Sequence, residues 1–115
     1  MNLELQDQVI LVSGGAKGIG EGVVRVLAAE GAIPVVIGRN ATDNDSVVRS
    51  VEGGGGRAFA VQAELSQTDD CRRAVETTIA KFGRINGLVN NAGVNDGVGL
   101  EIGKASCRER VCQYV

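Results

Sequence analysis

The feature that most constrains this chain is the junction at residues 9–20. There an unbroken apolar run, Val9-Ile10-Leu11-Val12, passes directly into Ser13-Gly14-Gly15-Ala16-Lys17-Gly18-Ile19-Gly20. A short apolar run cut off by glycine reads as a strand buried on both faces. Beyond the glycines, Ile19, Val23, Val26, Leu27 and Glu30 recur at helical spacing, and Gly31 marks a stop. The segment therefore reads as strand, glycine turn, helix.

The same alternation continues along the chain. Residues 33–37 form a second apolar run with Pro34 near its start, where proline is tolerated. A polar stretch, 40–46, leads into a weaker helical segment at 47–52, which four glycines at 53–56 end. Residues 57–63 read as a third strand. Residues 66–69 resemble a helix start, a serine with an acid three residues later. Cys71, Val75, Ile79 and Phe82 then make one helical face, and Gly83 closes it. Residues 87–89 begin a fourth strand that runs into Asn90-Asn91-Ala92-Gly93. This β-α-β-α-β-α-β pattern predicts an α/β fold with a parallel sheet covered by helices on both faces. Right-handed crossovers make it a Rossmann-type doubly wound sheet with strand order 3-2-1-4. Glycine, 17 of 115 residues against about 8 at ordinary usage, serves these turns. With a single proline, the chain is not a disordered Pro/Gly-rich segment.

Composition narrows the function. A net charge of −2 argues against a nucleic-acid or anionic-membrane binder. Phe59, Phe82 and Tyr114 are too few aromatics for a base-stacking platform. Without histidine there is no His-based triad and no histidine pH switch. Cys71, Cys107 and Cys112 match neither a metal-ligand spacing nor an even disulfide set, so reduced thiols in the cytoplasm are expected. Residues 1–8 are polar and lack the build of a signal peptide. No apolar run approaches the length of a membrane span, so a soluble chain is expected.

In the glycine string, Gly14 and Gly18 permit a tight turn and close backbone approach, and Gly20 lets the helix pack near the strand. The free N–H groups and positive dipole end of the new helix suit a phosphate. An ordinary βα turn is the plainer reading. The spacing is neither G-x-G-x-x-G nor that of the G-x-x-x-x-G-K-[ST] phosphate loop.

SGGAKGIG resembles the T-G-x-x-x-G-I-G motif of the short-chain dehydrogenase/reductase family, with Ser13 where threonine is usual. Asn90-Asn91-Ala92-Gly93 is similar to that family's N-N-A-G motif, and Glu64-Leu65-Ser66 stands where the family has Asp-Leu or Asp-Val. The resemblance covers roughly residues 3–103. It implies that Gly14, Lys17, Gly18, Ile19 and Gly20 wrap the coenzyme pyrophosphate and adenosine ribose. Glu64 and Leu65 would meet the adenine, and Asn90, Ala92 and Gly93 would lie near the nicotinamide ribose. For Asn90-Asn91 a simple backbone-satisfying turn is the alternative.

The coenzyme can be argued physically. NAD-specific sites place Asp or Glu at the end of the second strand, on the ribose 2′-hydroxyl. Here that position is Gly38, followed by Arg39. No carboxylate repels a 2′-phosphate, and a guanidinium is available to bind it. Lys17 adds a second cation. The expectation is NADP in preference to NAD, against the alternative that both are solvated surface charges.

Residues 83–100 (GRINGLVNNAGVNDGVGL) and 31–36 (GAIPVV) resemble the L-fucose dehydrogenase branch, which oxidises the anomeric hydroxyl of a sugar to a lactone. On that reading Asn95 and Asp96 hydrogen-bond a small-molecule substrate, a sugar or other alcohol. Asn95-Asp96-Gly97 reads equally as a turn. Other alcohol or ketone chemistry of the family, such as 3-oxoacyl reduction, remains open.

The family's catalytic tyrosine, with a lysine four residues on, has no counterpart here: Tyr114 is the lone tyrosine, and one residue follows it. Residues 104–115 (KASCRERVCQYV) also differ in charge, with three basic residues against one acid, whereas the first 103 residues hold nine basic and thirteen acidic side chains. The expectation is an N-terminal part of an NAD(P)-binding domain over 1–103, incomplete after four strands, and a non-family tail over 104–115 from truncation or an assembly junction. Such a fragment alone would be inactive and marginally stable, with strand 4 as an apolar edge. An inert fragment and a non-catalytic NADP-binding module are the alternatives to an oxidoreductase. Full-length members of the family are expected to be homo-oligomers.

Overall fold

Each apolar run of the sequence becomes a strand of one parallel sheet. The computed structural model describes residues 4–64 and 66–90. In chain order the elements are β1 (Val9–Ser13), α1 (Gly18–Ala29), β2 (Ile33–Gly38), α2 (Ala41–Gly53), β3 (Phe59–Gln62), α3 (Thr68–Phe82) and β4 (Gly87–Asn90). The strand order is β3-β2-β1-β4, and every pairing is parallel. This is the doubly wound order expected from the sequence. Its switch point, where the order reverses, lies between β1 and β4.

All five residues of β1 are buried, which explains why they read as a continuous apolar run and not an alternating one. Odd and even positions serve different faces. Val9, Leu11, Val35, Ile37 and Val61 pack against Cys71, Ala74 and Val75 of α3. Ile10, Val12 and Val36 pack on the other face against Val24 of α1 and Val47 and Val51 of α2. Full burial of a valine or leucine side chain contributes roughly 1.5–3 kcal/mol, so this two-faced core dominates the stability of the sheet. Pro34 sits inside β2 without breaking it. It lies opposite Ile10 of β1, while pairing with β3 begins only at Val35, so the proline has a strand neighbour on one side alone.

Several boundaries differ from the sequence reading, each for a local reason. Helix α2 starts at Ala41, not at residue 47. Asn40 caps it, its side-chain oxygen accepting the Asp43 N–H at 3.0 Å, so the polar residues form real helical turns. Helix α3 is preceded by Gln67 as cap, not by Ser66, whose hydroxyl instead donates to Glu64 Oε1 at 3.1 Å. Strand β3 spans only Phe59–Gln62. In α1 the apolar spacing marks the buried face only in part: Val23 and Leu27 pack against the core. Ile19 is 78% exposed and Val26 60% exposed, on one outer stripe, while Gly20 and Val24 face the sheet. No helix among the described residues is long and apolar enough to cross a membrane.

Candidate coenzyme-binding site

The register places the carboxyl ends of all four strands along one edge. Ser13 lies opposite Ile37 and Asn90, and Gly38 opposite Gln62. Ligands of open α/β sheets bind outside this edge, at the switch point. The loops that carry the candidate residues leave from here.

At the switch point Ser13 is buried, and its hydroxyl lies 3.0 Å from Asn90 Oδ1 and 3.3 Å from the Val89 carbonyl oxygen. One hydroxyl thus ties the end of β1 to the end of β4 and orients Asn90. The glycine turn starts immediately after. Gly14 adopts φ +70°, a region L side chains rarely occupy, and its N–H donates to the Ile37 carbonyl at 2.8 Å. Gly15 faces a tight space: a Cβ there would stand 2.9 Å from Val24 Cγ2 and 3.2 Å from the Val12 carbonyl oxygen. That contact makes Gly15 the residue that lets α1 lie close against β1. Gly20 is buried on the same face of α1.

Of the three helix starts at this edge, α2 has a side-chain cap and α1 and α3 do not. Helix α2 is capped by its own Asn40. Helix α1 has Lys17 at its cap position in extended conformation, and no side chain caps it. Its first N–H groups therefore remain available at the sheet edge, and with the dipole they favour an anion.

Cations flank this position, and each is already matched to an acid. Lys17 Nζ lies 3.1 Å from Asp43 Oδ2, and Arg39 Nη1 lies 3.7 Å from Glu64 Oε2. Both cations are about four-fifths exposed, at 79% and 81%. Exposed pairs of this kind are worth about 0–1 kcal/mol, so an incoming phosphate can displace them. Glu64 is held by its own turn, since Ser66 donates to its carboxylate and its N–H donates to Asp70 Oδ2 at 2.7 Å. Arg39, Gln62, Ala63, Glu64, Asp70 and Arg73 line an open cleft of about 430 Å³ beyond β2 and β3.

The structure thus brings Gly14, Lys17, Gly18, Ile19, Gly20, Arg39, Glu64 and Asn90 to one edge of the sheet. Leu65, Ala92, Gly93, Asn95 and Asp96, with the whole of residues 104–115, lie outside the described residues. The uncapped start of α1, the glycine turn and two exposed cations fit a phosphate-bearing dinucleotide. Sequence reasoning missed Ser13 as a tether, Gly15 as the point of close approach, and Asp43 as the partner of Lys17. Gly15 is visible in the sequence as the one glycine of the four in the string without an assigned role. Nothing local signalled Asp43, one acid in a polar stretch.

The family model for short chain dehydrogenase matches residues 8–113. The chain belongs to the short-chain dehydrogenase family. The match extends past residue 103, where the sequence reading placed a boundary. Among curated relatives, an uncharacterized oxidoreductase of Methylorubrum extorquens is 39% identical over 99 residues, covering 85% of this chain and 40% of its own length. A 3-oxoacyl-[acyl-carrier-protein] reductase of Synechocystis is 43% identical over 91 residues, covering 78% of this chain and 37% of its own. This short-chain dehydrogenase chain therefore spans about two fifths of the length of the curated relatives it matches. Among solved structures, a short-chain type dehydrogenase/reductase from Mycobacterium ulcerans superposes with a TM-score of 0.87 at 28% identity, over 96% of this chain and 47% of that one. A metagenomic short-chain oxidoreductase in complex with NADP superposes with a TM-score of 0.86 at 25% identity, over 95% of this chain and 57% of that one. Proteins of this family bind NAD(P).

Proposed function

We propose that this chain forms the coenzyme-binding part of a short-chain oxidoreductase that prefers NADP to NAD. The observation that carries this reading is the end of β2. Gly38 occupies the place where an NAD-selective site needs a carboxylate, and the exposed guanidinium of Arg39 follows it. A guanidinium can take a phosphate bidentately, so Arg39 would hold the 2′-phosphate, with Lys17 as a second cation. Gly18, Ile19 and Gly20 would bring backbone N–H groups to the pyrophosphate, with Gly14 shaping the turn against which it lies. Glu64 and Leu65 would border the adenine, and Asn90, Ala92 and Gly93 the nicotinamide ribose.

The bound coenzyme supplies the hydride acceptor or donor. The substrate reading favoured by residues 31–36 and 83–100 is a sugar hydroxyl, L-fucose or a similar aldose, oxidised to a lactone, with Asn95 and Asp96 as hydroxyl partners. Such a step moves a hydride from the anomeric carbon to the coenzyme and the hydroxyl proton to a general base. A second reading, reduction of a 3-oxoacyl group, is favoured by the Synechocystis relative named for that activity.

Fluorescence titration of the protein with NADPH and NADH tests the coenzyme. NADPH should bind about tenfold tighter or more, the worth of a charge-assisted contact to the extra phosphate. Equal affinities overturn the preference. In a full-length protein that carries this segment together with a catalytic tyrosine and lysine, oxidation of L-fucose with NADP, set against reduction of a 3-oxoacyl thioester with NADPH, separates the two substrate readings.

A further inference from the structure

The coenzyme reading rests on what Gly38 lacks, and the structure contains a reason why that position is glycine. Asn44, near the start of α2, is 1% exposed. Its Nδ2 donates to the Gly38 carbonyl at 3.0 Å, and the same carbonyl accepts the Ala63 N–H at 3.0 Å from the end of β3. The other end of the amide, Oδ1, is buried and has no hydrogen-bond partner among the described residues. It is aimed at the α-carbon of Gly38: a Cβ built there would stand 2.7 Å from Oδ1. A buried polar atom without a partner costs free energy, so its position calls for a compensating reason.

Asn44 cannot readily make way. Turning the amide over would set its oxygen against the Gly38 carbonyl oxygen and lose the hydrogen bond. Moving the side chain outward would empty a buried site between α2 and β2. Any side chain at position 38, charged or not, therefore meets the Asn44 amide first.

We infer that Asn44 is a positioning residue for coenzyme selectivity: by filling the space beside Gly38 it excludes the carboxylate with which an NAD-selective site would hold a ribose 2′-hydroxyl. The selected ligand is a dinucleotide whose adenosine ribose bears a 2′-phosphate. Asn44 acts through the backbone of Gly38, which it also fixes in place, so that Arg39 leaves the strand in one direction. This inference rests on the coenzyme reading above. It adds that the absence of an acid at position 38 is enforced by packing, so a charge change alone cannot reverse it.

The test is a double-variant cycle on the full chain, with Gly38→Asp, Asn44→Ala and both together, read by thermal melting without coenzyme and by NADPH and NADH titration. Gly38→Asp alone should melt several degrees below the wild type and gain no NADH affinity. The double variant should melt above Gly38→Asp and bind NADH about tenfold more tightly than the wild type. Gly38→Ala, with a Cβ and no charge, should lower the melting temperature in the same way and be rescued by Asn44→Ala. A double variant that melts no higher than Gly38→Asp overturns the inference, whether or not the single variant folds. So does a Gly38→Asp protein that is as stable as the wild type and gains NADH affinity by itself. The coenzyme reading fails separately: a wild-type protein that binds NADH as well as NADPH sinks it, while the melting order still decides the coupling of Asn44 to Gly38.

Discussion

The two ends of the sheet use the same kinds of side chain for opposite purposes. At the amino-terminal end, charged and amide groups grip the backbone. Asn86 accepts the Val9 N–H at 2.8 Å through its side chain and donates its own N–H to the Val9 carbonyl at 2.7 Å. Arg57 holds Asp7 Oδ1 at 2.6 Å and the Gly31 carbonyl at 2.7 Å, and Arg84 donates to the Asp7 carbonyl. At the carboxyl end, Lys17 and Arg39 meet carboxylates at the surface, and the starts of α1 and α3 have no side-chain cap. The first end is built from bonds that a ligand would have nothing to gain by replacing. The second is built from contacts that a phosphate can replace with stronger ones.

Variants can break this contrast, in order of expected effect. Gly15→Val should be the most damaging, by about 3 kcal/mol, because the new side chain meets Val24 and the Val12 backbone where β1 and α1 close on each other. Urea unfolding would register it as a fall in midpoint. Arg39→Ala should weaken NADPH by roughly 2 kcal/mol, more than tenfold, and leave NADH nearly unchanged. Because its pair with Glu64 is exposed, the melting temperature should hold. A large stability loss with no change in NADPH affinity would assign Arg39 to the structural end of the comparison.

Asn86→Ala should show the reverse pattern, costing about 1–2 kcal/mol of stability by orphaning the Val9 N–H, with coenzyme selectivity intact. Asp43→Asn should have a smaller effect, tightening NADPH a few-fold by releasing Lys17 from a surface ion pair. An unchanged or weaker NADPH affinity would show that Asp43 positions Lys17 and does not compete for it. The smallest effect concerns acid. The Arg57 guanidinium bonded to Asp7 holds that carboxyl below the ordinary value of 3.8. A lowered folded-state pKa stabilises above the unfolded value and loses that contribution as pH falls through the folded one. The wild type should therefore exceed Asp7→Asn in melting temperature at pH 6, and the gap should shrink below about pH 4.

How much of this is legible in the sequence depends on the range of the interaction. The strands, the order 3-2-1-4 and the glycine turn follow from local periodicity and from the handedness of crossovers. The true start of α2 is hidden because its first turns are polar. Its helical state comes from the Asn40 cap and from Asn44 packing against β2, neither of which has a hydrophobic period. The buried face of α1 is only partly legible, because fully buried Gly20 carries no apolar side chain and Ile19 and Val26 of the apolar set point outward, while Val23, Val24 and Leu27 pack on the sheet. At the site, Arg39 and Lys17 are recognisable by position, yet their partners Glu64 and Asp43 lie 25 and 26 residues away in sequence.

The sequence by itself determined the class of fold, the glycine turn after β1 and the absence of an acid at position 38, because each is written in neighbouring residues. Only the tertiary structure decided that Ser13 reaches Asn90 across 77 positions, that both candidate phosphate-binding cations are already paired, and that Asn44 stands where a side chain on Gly38 would go. Those facts depend on the distance between elements and on what fills the space there, and packing sets both only once the whole sheet has formed.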